Sequence, residues 1–129
     1  MRLEELATDY YDVQRKNCAQ AILLAANDYY KLGLSDDAHT LLMGFGGGMG
    51  CGRLCGCLAA SISVLGKLFG RREDFRAICK EYVSVFEEKL GCSSTECSDL
   101  TKKYKNPETR CLPTVVISAR TLEEFISEK

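Results

Sequence analysis

Nine residues constrain this chain more than any other stretch: Gly44-Phe45-Gly46-Gly47-Gly48-Met49-Gly50-Cys51-Gly52, of which six are glycine. Consecutive glycines weaken a regular helix by about 1 kcal/mol each relative to Ala. They also permit positive φ and close approach of neighbouring backbone. A loop is expected here, with the rest of the fold built around it. On both sides apolar residues recur at spacings of three and four, and strand alternation is nearly absent. The chain holds only 2 Pro, which suits long unbroken helices.

The periodicity predicts a first helical segment over residues 2–11, with Leu3, Leu6 and Tyr10 on one face. Asn17 is the expected N-cap of a helix from Cys18 to about Leu32, closed by Gly33. Ser35 is expected to cap a short helix reaching about Met43, with Asp36 and Asp37 in its positive first turn. Beyond the glycine loop a helix is expected from about Gly52 to Phe69, lined with small residues and ended by Gly70. A further helix runs from about Arg72 to Leu90, ended by Gly91. Residues 92–107 read as irregular, with one helical turn near Asp99 to Lys103. A last helix covers about Thr109 to Ser127, with Pro113 in its first turn or at a break. The expected fold is all-α, a compact single-domain bundle of five or six helices over residues 1–129 with a glycine-rich loop.

Hydrophobic residues at 46% and charged residues at 27% are ordinary globular usage. The net charge of −1, without a Lys/Arg-rich run, does not call for nucleic acid. No apolar stretch is long enough for a spanning helix, and no secretory leader is evident, so no membrane and a cytoplasmic location are expected. Leu122, Phe125 and Ile126 read as surface apolar residues able to support a homodimer. His39 reads as a surface residue, and the pairs Tyr10-Tyr11 and Tyr29-Tyr30 as core and interface aromatics.

The chain carries 8 Cys and 1 His. In a reducing compartment many cysteines point to metal binding or redox chemistry more than to a disulfide framework. The single His excludes a His-rich zinc site. No Cys-x-x-Cys pair occurs, so a thioredoxin motif, a c-type haem attachment site and paired zinc knuckles are all missing. Cys92 and Cys97 enclose four residues, one element of a plant-type ferredoxin without its companion spacing. Any shared centre must therefore be assembled from cysteines on different helices.

Cys18 and Cys55 fall near expected helix N-termini, where the dipole and free N–H groups favour a thiolate. Arg53 near Cys55 and Arg110 beside Cys111 act in the same direction, and Glu96 beside Cys97 opposes it. Cys51 and Cys55, if both helical, would lie about 40° apart on one face. Cys55 and Cys57 would diverge unless the helix begins there. Cys51, Cys57 and Cys92 are auxiliary candidates, and Cys79 lies on an apolar stripe that suits core packing. Gly46, Gly47 and Gly48 offer backbone approach to an anion, without the Lys-Ser/Thr ending of a nucleotide-binding loop. The bland alternative is that the cysteines are buried small hydrophobes.

Asn17-Cys18-Ala19-Gln20-Ala21, the glycine stretch 44–50, Cys55-Gly56 and two distal cysteines together resemble the C_GCAxxG_C_C family of redox-active proteins, over about residues 10–125. The resemblance places the family's four cysteines at Cys18, Cys55, Cys97 (with Leu100 three residues on) and Cys111 (with Pro113 and Val115). Cys57 stands where Ala is usual and Ala60 where Gly is usual. The resemblance implies a small bacterial or archaeal redox protein. A similar domain is associated with a class of dihaem cytochromes, in which its cysteines are assigned to an iron–sulfur cluster. The expected function is electron transfer through a tertiary cluster of those four cysteines, binding an iron–sulfur cluster and meeting a redox partner protein. The alternatives are a metal-free thiol–disulfide protein with Cys18 and Cys55 as redox thiols, or a structural zinc or helical interaction module.

Overall fold

A computed structural model describes residues 2–129; Met1, the first residue of the expected domain, lies outside the described residues. It contains six α-helices: α1 (Leu3–Thr8), α2 (Cys18–Tyr30), α3 (Gly56–Phe69), α4 (Phe75–Leu90), α5 (Cys97–Tyr104) and α6 (Leu112–Ser127). With a 3₁₀ segment at Ala38–Phe45 these make seven helices, against the five or six expected. A π-type turn at Asp9–Val13 extends α1. There is no strand among the described residues, only two isolated bridges, Leu54 with Glu96 and Asn106 with Arg110. No helix among them is long and apolar enough to cross a membrane.

Helix α2 is central. Ala19, Ala21, Ile22, Ala25 and Ala26 are all fully buried, because α1, α3, α6 and the 3₁₀ segment pack around it. Alanine on several faces lets neighbouring helices come close. Helix α6 closes the far side with Val115, Ala119, Leu122 and Phe125. Phe125 meets Tyr82 of α4 edge to face, ring centres 5.1 Å apart. Leu122 and Phe125 are thus core residues and Ile126 is half-buried. They form no surface face for a homodimer, since the α6 stripe is spent on α1 and α4. Ala60 is fully buried, so the core accommodates its methyl group on α3.

Several boundaries differ from the sequence reading, each for a local reason. Lys31, in the left-handed region at φ 55°, terminates α2 ahead of Gly33. The segment after Ser35 begins helical geometry at Ala38, because the Ser35 hydroxyl donates to Asp37 Oδ1 (3.0 Å) in a preceding turn. Helix α3 starts at Gly56, four residues later than expected, because residues 53–55 pair through their backbone with residues 95–97. The single turn foreseen near 99–103 is an eight-residue helix, α5. It packs on the end of α4: Tyr104 Oη (2.6 Å) and Lys103 Nζ (3.0 Å) both donate to the Leu90 carbonyl. Helix α6 begins at Leu112, with Pro113 in its first turn, where a missing N–H costs nothing.

Candidate functional site

Four of the helices begin with a cysteine. Cys18 is the first residue of α2, Cys55 the N-cap of α3, Cys97 the first residue of α5 and Cys111 the N-cap of α6. Local interactions fix each one.

At α2, the Asn17 side chain accepts from the Gln20 N–H (2.7 Å) and the Gln20 side chain accepts from the Asn17 N–H (3.2 Å), a reciprocal cap. Asn17 Nδ2 also donates to the Leu42 and Met43 carbonyls (3.1 and 3.2 Å). Gln20 Nε2 reaches the His39 ring nitrogen at 3.0 Å. The Asn-Cys-Ala-Gln run therefore clamps the 3₁₀ segment against the start of α2. His39 is half-buried within that clamp, not a free surface residue.

Cys55 and Cys97 meet through a two-sided backbone bridge. The Cys55 N–H donates to the Thr95 carbonyl (2.8 Å) and the Cys97 N–H donates to the Arg53 carbonyl. Glycine makes the approach possible. A Cβ at Gly48 would stand 2.5 Å from Cys97 Cβ, and one at Gly56 2.9 Å from Cys18 Sγ. Cys111 is held from the opposite end of the chain. Its N–H donates to Tyr11 Oη (3.0 Å), and Arg110 donates through Nη2 to the Tyr11 carbonyl (2.9 Å).

Cys18, Cys55, Cys97 and Cys111 consequently line one enclosed space of about 20 Å³, together with Cys57, Leu100, Thr101 and Thr114. No Asp, Glu or His lines it. Cys57 points there because α3 begins at Gly56, so the divergence expected within a continuous helix does not arise. The other auxiliary candidates stay outside. Cys51 is exposed in a left-handed turn, its thiol 3.7 Å from the Gly48 carbonyl. It shares no helix face with Cys55, since residues 49–51 are non-helical. Cys92 is half-buried at the end of α4 and Cys79 is half-buried on α4; neither lines the space. A second cleft, of about 290 Å³, meets the first at Cys18, Cys97, Thr101 and Cys111; Gly46 and Gly47 also line it, whereas Gly48 packs beneath Cys97.

The thiols are not equivalent. Cys55 is lowered to about 7 and Cys18 is also lowered, in each case chiefly by a hydrogen bond from Cys57 and against the cost of burial. Cys57, fully buried and with one S–H to share between these two neighbours, is held well above the ordinary thiol range. Burial raises Cys97 to about 11, helped by the charges of Cys55 and Cys18, and burial also raises Cys111. The cations foreseen beside them act otherwise. Arg53 is turned to solvent beside Glu96 (4.0 Å), and the cation bearing on Cys97 and Cys111 is Lys105. Tyr11, Lys105 and Cys57 are the site residues that sequence reasoning missed or underweighted. Only for Cys57 was there a signal, its place two residues into a helix capped by cysteine.

Among the described residues no three Cys, His, Asp or Glu side chains are grouped closely enough to hold a single metal ion. The family described as "Putative redox-active protein (C_GCAxxG_C_C)" matches residues 16–125. A relative from Archaeoglobus fulgidus, described as an uncharacterized protein, is 27% identical over 100 residues, 67% of this chain and 66% of the relative's own length. No solved structure matches.

Proposed function

Because the chain belongs to the C_GCAxxG_C_C family of redox-active proteins, we propose that it transfers electrons through an iron–sulfur cluster held by Cys18, Cys55, Cys97 and Cys111. One observation carries this reading: four sulfurs, each at the N-terminal end of a different helix, line one enclosed space. The positive ends of four helices suit a centre of four thiolates, whose summed charge is negative. The donor set fits such a group, since no carboxylate or imidazole competes at the space. Such a cluster, when bound, supplies reversible one-electron transfer.

The chain's own residues do the rest. Gly48 and Gly56 let Cys97 and Cys18 close on the space. Tyr11 and the 53–97 backbone bridge fix where the sulfurs stand. The Cys57 thiol stays protonated and can donate its one S–H to Cys18 or to Cys55, and hydrogen bonds to ligand sulfurs tune reduction potential. The enclosed space is about the size of one water, so the segments leading into Cys97 and Cys111 must yield on loading. A redox partner protein supplies or takes the electron.

A second reading has one observation in its favour. Cys57 lies within hydrogen-bond reach of both Cys18 and Cys55, whose thiols are already lowered. Without metal, two of these three can close a disulfide, giving two electrons and two protons to a partner disulfide that becomes a dithiol.

Anaerobic purification followed by iron and acid-labile sulfide analysis, with visible absorption and EPR spectra, decides between them. Iron and sulfide in equal amounts, lost on Cys→Ser exchange at 18, 55, 97 or 111, are expected. A colourless protein without iron or sulfide overturns the cluster and leaves the dithiol. The dithiol in turn requires two titratable thiols to vanish on mild oxidation and return with dithiothreitol.

A further inference from the structure

The cleft of about 290 Å³ shares three sulfur-bearing residues with the inner space, Cys18, Cys97 and Cys111. Its remaining wall is unusual for a protein of net charge −1. Lys105 and Arg110 both line it, and no Asp or Glu does. Neither cation forms an ion pair among the described residues; the seven ion pairs found there leave both out. Arg110 is held in place by its bond to the Tyr11 carbonyl and by lying 4.2 Å above the Tyr11 ring. That uses one of its five N–H donors. Lys105 is exposed, and its charge reaches both Cys97 and Cys111. The Asn17 end of α2, with Gly46 and Gly47 beside it, forms the opposite wall.

We infer that this cleft binds a small oxyanion, held between Lys105 and Arg110 and presented to the thiols of Cys18, Cys97 and Cys111. The volume lies at the small end of ligand pockets, which run from about 300 Å³ upward, so the ligand is a small molecule. Two unpaired cations facing one space suit a doubly charged oxyanion, an inorganic one or a small dicarboxylate. The inference deepens the redox reading: it names the class of small molecule the centre meets. Its meaning rests on that reading, but the binding does not.

Isothermal titration of the as-purified protein with sodium sulfate, at constant ionic strength set with sodium chloride, is the test. One saturable site per chain is expected. Lys105→Gln and Arg110→Gln should each weaken it by about tenfold, and Lys67→Gln, which lies elsewhere, should leave it unchanged. Arg110→Gln also removes a support of Tyr11, so Lys105→Gln carries the test alone if that variant is unstable. Malonate in place of sulfate separates a dicarboxylate from an inorganic oxyanion; saturable binding of either, weakened by Lys105→Gln, supports the site. No saturable binding of either anion, or binding unchanged in Lys105→Gln, overturns it. Sulfate binding by an iron-free protein would sink only the cluster. A loaded protein blind to both anions would sink only the cleft.

Discussion

Tyr11 accepts a hydrogen bond through its hydroxyl from the backbone N–H of Cys111, across 100 positions of sequence. The same residue receives Arg110 on its carbonyl and over its ring. One side chain thus ties the first and last cysteine-bearing regions together, since Tyr11 precedes Cys18 by one short loop and Cys111 opens α6.

Tyr11→Phe keeps the ring and the Arg110 stacking but leaves the Cys111 N–H without its acceptor. A loss of about 1–2 kcal/mol is expected, read as a lower urea midpoint. If Tyr11 acts as described, the local change is larger than the global one. Amide exchange at Cys111 and Leu112 should quicken while the core of α2 stays protected. An unchanged midpoint with unchanged exchange at Cys111 would remove Tyr11 from the site.

Gly56 answers for a different contact. A Cβ there would meet the Phe45 carbonyl at 2.8 Å and Cys18 Sγ at 2.9 Å. Gly56→Ala should therefore force α2 and α3 apart and cost about 1–3 kcal/mol, as overpacking does. Gly44→Ala is the control, with open space around its Cβ and no positive φ. Thermal unfolding of the pair checks this, and equal midpoints would mean that the helices yield freely.

What was legible in the sequence was the set of helices and the identity of the cysteines, not their meeting. Asn17 announces α2 because a short polar side chain can cap, and Gly91 ends α4 because it sits at φ 63°. Both signals are local. The convergence is not. It depends on a backbone bridge between 53–55 and 95–97, in which side-chain type matters little, and on one tyrosine hydroxyl. Helix α5 hid for a related reason: Leu100 is its only buried residue, so it shows no apolar stripe. The α3 start was displaced because the left-handed turn at 47–50 feeds the bridged residues 53–55, and glycine content alone does not say which way such a turn leads.

Asn17 joins the cap of α2 to the segment before the glycine loop. Asn17→Ala removes the cap and both bonds to the Leu42 and Met43 carbonyls, with an expected loss of about 1–2 kcal/mol. Asn17→Asp restores the acceptor for Gln20 but cannot donate to those carbonyls. It should recover the stability of α2 while leaving exchange at residues 38–46 fast. Full recovery of both by Asp would show that the clamp on the 3₁₀ segment contributes nothing.

Stability of the reduced, metal-free protein should depend on pH through two opposed sets of thiols. Cys55, lowered to about 7 from an ordinary value of 9.0, ionises more easily in the folded chain than in the unfolded one. Its contribution is fully present above about 9 and fades as pH falls through about 7; Cys18 adds in the same direction. Cys97, raised to about 11, does the reverse. Its contribution is fully present below about 9 and is lost as pH rises through 11, and Cys57 and Cys111 add to it. The urea midpoint should climb between about pH 7 and 9 and fall beyond. Cys55→Ser should flatten the climb and Cys97→Ser the fall. A climb that persists in Cys55→Ser would place the low thiol elsewhere in the cluster, with Cys18 next to be exchanged.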